Sequence, residues 1–150
     1  MLFRSGYYLI IPKPSKATIS NAMDVGNPSN FIRIQELFDK NLSSLKKSFS
    51  SYSFSDDETK IMMKSIYDKF NYISEPHCAI GYLGLQKHGL ETNEFGVFLE
   101  TAHPVKFLDV VEETLTVNVE IPPQIKEVMS KEKVSILISN YQELKNFLNK

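Results

Sequence analysis

The sequence predicts few strands for the number of helices it contains. Residues 96–99 are a short apolar run suited to a buried strand, and residues 134–138 are a second predicted strand. Apolar residues at helical spacing predict at least four helices. Strands that alternate with helices favour an α/β fold with a parallel sheet, and 150 residues are enough for one domain. A sheet of two or three strands has unpaired edges, so we expect this chain to be part of a larger layer.

The helices are predicted from apolar spacing and from their start signals. Ser55 and Glu58 form a capping box, and Pro76 is well placed in a first helical turn. The helix after Ser55 is expected to turn Ile61, Met62, Ser65, Ile66 and Phe70 toward one face. Residues 1–17 are expected to form an irregular entry segment, because Gly6, Pro12 and Pro14 interrupt it. The predicted helices are 31–47, a helix from 56, 76–87, a helix from 104, 124–129 and 141–148.

Composition and charge exclude several classes of function. The net charge of −1 gives no electrostatic case for nucleic acid or for an anionic membrane. The apolar run Leu9, Ile10, Ile11 is too short for a spanning helix and is broken by Pro12. A single cysteine, Cys78, excludes an internal disulfide and fits the cytoplasm. With three scattered histidines, the sequence also contains no metal-binding pattern.

The most informative segment for function is residues 19–30, ISNAMDVGNPSN. Small polar residues, a glycine and a proline lead directly into the helix predicted from Phe31. Ser29 or Asn30 is suited to cap that helix, and such a helix start also attracts anions such as phosphate. The spacing alone favours capping.

Three segments resemble threonine synthase in the order in which that family has them. They are residues 18–33 (TISNAMDVGNPSNFIR), 75–82 (EPHCAIGY) and 98–107 (FLETAHPVKF). Residues 4–7 (RSGY) are a weaker echo of a fourth. The resemblance extends over nearly the whole chain but only over the last third of the family.

The resemblance implies a pyridoxal 5'-phosphate enzyme of the tryptophan-synthase-like fold, fold type II. The chain, residues 1–150, would be the C-terminal fragment of a carbon–oxygen lyase that converts O-phospho-L-homoserine and water to L-threonine and phosphate. In that family the cofactor-binding lysine and the phosphate loop lie upstream, in an N-terminal region that these segments do not match. We therefore expect this chain to be inactive alone.

Site residues follow from the resemblance. It implies that Thr101 hydrogen-bonds the pyridine nitrogen of the cofactor, because a neutral hydroxyl tunes the ring without charging it. Asn27, Ser29, Asn30, Arg33, His77 and His103 would line the pocket. His103 suits proton transfer near neutrality, but it is equally suited to ordering the turn before Pro104. His77 has the same two interpretations.

The sequence leaves two other functions open. The chain would be a non-catalytic relic or the subunit of a split gene, or, without the resemblance, a small α/β binding domain. The small number of strands disfavours the last of these.

Overall fold

The computed structural model describes residues 14–21, 25–26 and 28–149. The chain forms two compact units, Met1–Val119 and Glu120–Lys150. The regular structure of the described residues is entirely helical. In the first unit the helices are α1 (Phe31–Leu37), α2 (Leu42–Ser48), α3 (Asp56–Phe70), α4 (Pro76–His88), a 3₁₀ helix (Pro104–Phe107) and α5 (Leu108–Leu115); the second unit has α6 (Pro123–Met129) and α7 (Tyr141–Leu148).

The capping box predicted at the start of α3 is confirmed. The Ser55 hydroxyl accepts the backbone N–H of Glu58, whose carboxylate in turn accepts the backbone N–H of Ser55 at 2.7 Å. Three acidic residues in the first turn also suit the positive end of the helix dipole. The helix ends at Asn71, which takes the left-handed conformation at φ 51°.

The core of the first unit lies among α3, α4 and α5. Its buried members are Met63 and Ile66 of α3, Ala79 of α4, Phe107, and Val111 and Leu115 of α5, with Val119 beyond. At roughly 25 cal/mol per Å² of apolar surface, burial of such side chains is the main stabilising contribution available to this unit. It fixes α4 and the 3₁₀ helix, which carry the residues of the second and third sequence motifs.

The predicted buried face of α3 was wrong in part. The residues that α3 buries are Thr59, Met63 and Ile66, whereas Ile61 is 67% exposed and Phe70 53% exposed. The spacing of Thr59, Met63 and Ile66 is helical, but a buried threonine hydroxyl is not part of an apolar pattern. Thr59 is accommodated because its hydroxyl donates to the carbonyl of Ser55 at 2.8 Å.

The single helix predicted over 31–47 is instead two helices. Asp39 and Lys40 both have positive φ, 51° and 54°, and left-handed backbone cannot continue an α-helix. Asn41 then starts α2, since its side chain accepts the backbone N–H of Ser44 at 3.1 Å.

The two predicted strands are not formed in the described part of the chain. Residues 96–99 and 134–138 are in no regular secondary structure. Segment 96–99 was expected to be buried, yet Val97 is 83% and Leu99 74% exposed. A strand forms only where a neighbouring strand accepts its backbone hydrogen bonds, and no described residue supplies one.

The second unit consists of two short helices. Pro122 precedes α6, and Asn140 caps α7 by accepting the backbone N–H of Glu143 at 3.0 Å. Both helices were predicted, and Tyr141–Leu148 has the bounds expected from the sequence.

Candidate functional site

The third sequence motif lies in an open surface depression of about 680 Å³. One wall is the chain that follows α3, and the other is the segment that leads into the 3₁₀ helix. The left-handed Asn71 ends α3 and turns the chain along this wall. The lining residues are Asn71, Tyr72, Ile73, Glu100, Thr101, Ala102, His103 and Pro104.

Thr101 is an exposed residue of this depression. Its hydroxyl makes no hydrogen bond to any of the described residues. The hydroxyl therefore retains both its donor and its acceptor capacity for a ligand. This is the property that the role implied for Thr101 requires.

Two interactions fix the segment around Thr101. The Tyr72 hydroxyl donates a hydrogen bond to the Glu100 carboxylate, which links the two walls of the depression. On the other side, Nδ1 of His103 accepts the backbone N–H of Val105 at 3.1 Å and caps the 3₁₀ helix. The turn-ordering interpretation of His103 thus has a direct contact in the structure, and the imidazole is committed at Nδ1.

His77 is held by its neighbour Glu75. The Glu75 side chain is fully buried and caps α4, with Oε1 2.8 Å from the Cys78 backbone nitrogen and Oε2 2.9 Å from that of His77. Oε2 also lies 2.8 Å from Nδ1 of the His77 ring. The imidazole packs on Phe107 at a centroid distance of 5.2 Å. The His77 ring is thereby held between Glu75 at the start of α4 and Phe107 at the end of the 3₁₀ helix.

Cys78 has the character expected of a packed helix residue. Burial, with the nearby Glu75 carboxylate as a second cause, raises the pKa of the Cys78 thiol above its usual 9.0. The thiolate is the nucleophilic form, so this cysteine is a poor nucleophile. This environment therefore disfavours a nucleophilic role for Cys78.

The described residues predicted from the first motif are not among those that line this depression. Ser29 and Asn30 are exposed and precede α1, and Arg33 is exposed within it. Asn30 occupies the cap position, but its side chain makes no capping hydrogen bond, so the predicted capping by Asn30 is wrong. None of the three is among the described residues that line the depression. Asn27, also predicted to line the pocket, lies outside the described residues.

Sequence reasoning missed two residues that organise the site. Glu75 belongs to the second motif, but glutamate is not a usual N-cap residue, so its capping of α4 has no clear signal in the sequence. Tyr72 has no local signal, because its partner Glu100 is far away in the sequence.

Other classes of site find little support. No helix among the described residues is long and apolar enough to cross a membrane. Within the same residues, no group of three or more His, Cys, Asp or Glu side chains is arranged to hold a metal ion. A second depression of about 490 Å³ lies along one exposed face of α3 and contains none of the predicted site residues.

Comparison with known sequences finds that the chain is similar to part of threonine synthase. A family model described as "Threonine synthase, C-terminal" matches residues 78–148. Threonine synthase from Buchnera aphidicola subsp. Acyrthosiphon pisum is 41% identical over 138 residues, 91% of this chain and 32% of the relative. The Escherichia coli K12 enzyme is 40% identical over 116 residues, 77% of this chain and 26% of the relative.

Solved structures agree with the sequence comparison. Threonine synthase from Escherichia coli superposes with a TM-score of 0.77 at 32% identity, over 99% of this chain and 34% of that one. Pyridoxal-phosphate-bound threonine synthase from Brucella melitensis gives a TM-score of 0.64 at 23% identity, over 98% and 36% of the two chains. The latter shows likeness of fold alone.

The chain therefore has the fold of one part of a larger enzyme. It spans about a third of the length of the relatives that it matches. The chain belongs with the threonine synthases and corresponds to their C-terminal part. The resemblance carried by the three sequence motifs is confirmed.

Proposed function

We propose that this chain forms the C-terminal part of a threonine synthase, which converts O-phospho-L-homoserine and water to L-threonine and phosphate. The observation that carries the proposal is the exposed Thr101 hydroxyl in the depression of the third motif, which makes no hydrogen bond to a described residue. The proposal includes the finer expectations: a carbon–oxygen lyase of fold type II, in which residues 96–99 join a parallel sheet completed by the N-terminal region.

The lining of the depression fits one edge of pyridoxal phosphate. Thr101 offers a neutral hydroxyl for the pyridine nitrogen, and the Tyr72–Glu100 hydrogen bond holds the adjacent backbone in place. The described lining includes no lysine and no glycine-rich loop, so these residues fit the pyridine edge and not the aldehyde or the phosphate. The other groups would come from the N-terminal region of the complete enzyme.

In this proposal the residues of this chain bind and orient rather than react. The cofactor, when bound, supplies an electron sink that stabilises carbanions of the amino-acid substrate. Thr101 would orient the ring and keep its nitrogen uncharged, and His103 would hold the turn that presents Thr101. Proton transfer by His103 would have to use Nε2, because Nδ1 already accepts the Val105 N–H.

A hybrid enzyme tests the proposal. The 150 residues of this chain replace the structurally matched third of the Escherichia coli threonine synthase. We expect the hybrid to release phosphate from O-phospho-L-homoserine and to support growth of a threonine auxotroph. We expect the chain alone, mixed with pyridoxal phosphate, to show neither phosphate release nor covalent binding of the cofactor. A folded hybrid that binds cofactor but releases no phosphate contradicts the proposal.

The role of Thr101 is tested in the same hybrid. Thr101→Val removes the hydroxyl while keeping the shape, and we expect a shift of the cofactor's absorption band together with a loss of kcat. Thr101→Ser keeps the hydroxyl and should retain both properties. Thr92→Val makes the same change at an exposed threonine outside the lining of the depression and is the matched control. A normal cofactor spectrum and kcat in Thr101→Val would remove Thr101 from the site.

A further inference from the structure

We infer that Glu75 is a positioning residue, which holds the His77 ring with Nδ1–H toward its own carboxylate and leaves Nε2 available to the ligand. The inference deepens the proposed function and rests on it for the identity of the ligand, a phosphorylated amino acid. It assigns His77 a defined tautomer and Glu75 a role beyond the start of α4.

The geometry fixes which ring nitrogen carries the proton. Oε2 of Glu75 lies 2.8 Å from Nδ1 of His77, and the Glu75 side chain is fully buried. A carboxylate can only accept hydrogen bonds, so Nδ1 must be the donor. Phe107 packs against the imidazole at 5.2 Å and limits its rotation. In the neutral ring, Nε2 is then the unprotonated nitrogen.

Nε2 is the unused polar atom of this arrangement. It makes no hydrogen bond to a described residue, and the His77 side chain is 36% exposed. Ile73, which lines the depression, precedes His77 by four residues, so the two lie within about 14 Å along the chain. Phe107, the ring partner of His77, follows the lining residue Pro104 by three residues. His77 is not itself one of the residues that line the depression, but its position in the chain and its ring partner both lead to segments that do. Its Nε2 is the hydrogen-bond acceptor that we assign to the ligand.

The choice of residue at the start of α4 supports a role beyond capping. Asp, Asn, Ser and Thr are the favoured N-cap residues, and glutamate is not among them. The additional methylene of Glu75 places one oxygen within reach of both a backbone N–H and the imidazole of His77. A cap alone would need only the backbone bonds to His77 and Cys78.

The substitution Glu75→Asp separates the capping of α4 from the orientation of the His77 ring. Aspartate is a good cap, but its carboxylate is one carbon–carbon bond, about 1.5 Å, shorter and withdraws from the ring. Nitrogen-15 NMR of the imidazole in the full chain reads the tautomer directly. We expect His77 to be protonated at Nδ1 in the unmodified chain and to become a mixture of tautomers in Glu75→Asp. Glu120→Asp, at an exposed position, should leave the His77 signals unchanged.

The consequence for the reaction is measured in the hybrid enzyme. We expect kcat/KM to fall by at least about tenfold in Glu75→Asp, the order of a positioned proton-transfer group, with little change in melting temperature. His77→Gln, whose amide reaches the Nε2 position, should retain more activity than His77→Asn, whose amide reaches only the Nδ1 position. This order is not expected from a purely structural role.

Either of two results overturns the inference. One is a His77 ring protonated at Nε2 in the unmodified chain, and the other is an unchanged kcat/KM in Glu75→Asp of an active hybrid. A hybrid that is inactive before any substitution counts against the proposed function. In that case the tautomer measurement still decides whether Glu75 positions His77.

Discussion

The rings of Tyr82 and Phe98 meet edge to face, with centroids 5.5 Å apart and planes inclined by 63°. Tyr82 lies on α4 and also contacts Phe70 of α3, at 6.3 Å. A row of three aromatic rings thus attaches segment 96–99 to the helices. In the same segment Val97 and Leu99 remain mostly exposed. Phe98 is accordingly the side chain through which segment 96–99 packs against Tyr82 of α4.

We predict that Phe98→Ala releases this segment. An aromatic pair contributes about 0.5–1.5 kcal/mol, so local opening should increase about 2- to 10-fold. Limited chymotrypsin digestion, followed by mass spectrometry of the cuts at Phe95 and Leu99, measures the effect. Val97→Ala is the control, because Val97 is 83% exposed and its truncation should leave the cleavage rate unchanged. Equal cleavage of Phe98→Ala and the unmodified chain would contradict the prediction.

A second prediction concerns the core among α3, α4 and α5. Met63 is fully buried, and Met63→Ala should lower the free energy of unfolding by about 2–5 kcal/mol. Ile61→Ala lies on the same helix at a position that is 67% exposed, and should cost less than about 1 kcal/mol. Urea denaturation followed by circular dichroism measures both. If the two variants lose a similar free energy of unfolding, Ile61 is as buried as Met63 and the prediction is contradicted.

Gly84 within α4 and Gly89 at its C-terminal cap should respond to alanine with opposite signs. Gly89 ends the helix at φ +78° and ψ 151°, a conformation that residues with a Cβ avoid, so Gly89→Ala should destabilise by about 1 kcal/mol or more. Gly84 is within the helix, and a Cβ there would meet only Tyr52, at 3.9 Å. Gly84→Ala should therefore stabilise by about 0.4–1 kcal/mol. Thermal melts of the two variants and the unmodified chain test the contrast.

The raised pKa of Cys78 predicts a specific loss of stability in alkali. Its pKa is higher in the folded chain than its usual 9.0, so the stabilising contribution of the protonated thiol is complete below that value. That contribution is lost as the pH rises through the folded-state pKa. Urea titrations from ~pH 8 to ~pH 10.5 should show a steeper loss of stability than in Cys78→Ala, which corrects for the other groups. If the stability of the unmodified chain and of Cys78→Ala falls equally with pH, the prediction is contradicted, because the pKa of Cys78 is then the same in the folded and unfolded states.

Local signals predicted the parts of this fold that depend on nearby residues. The Ser55–Glu58 capping box and the proline at the start of α4 each act within one helical turn, and both were predicted correctly. The break in residues 38–41 was missed because Asp39 and Lys40 contain no glycine or proline to announce left-handed backbone. The expected strands are unconfirmed, since none forms among the described residues. Their apolar runs are present, but a strand depends on a partner that lies outside the segment itself.

The site shows the same division between local and distant signals. Thr101 and His103 lie together in one depression because they belong to one short motif. Ser29 and Arg33 of the first motif are not among the described residues that line it. The Tyr72–Glu100 bond, which joins residues 28 positions apart, is a product of tertiary packing and has no pattern in the sequence.

The segment around Phe98 also has a consequence for the fate of the polypeptide in a cell. Residues 95–99, FGVFL, form an exposed run of apolar, strand-prone residues, of the kind that nucleates aggregation and recruits chaperones. Glu94 and Glu100 flank this run and place a carboxylate at each end. Charges in such positions act as gatekeepers against intermolecular stacking. These two glutamates therefore oppose self-association through this five-residue segment.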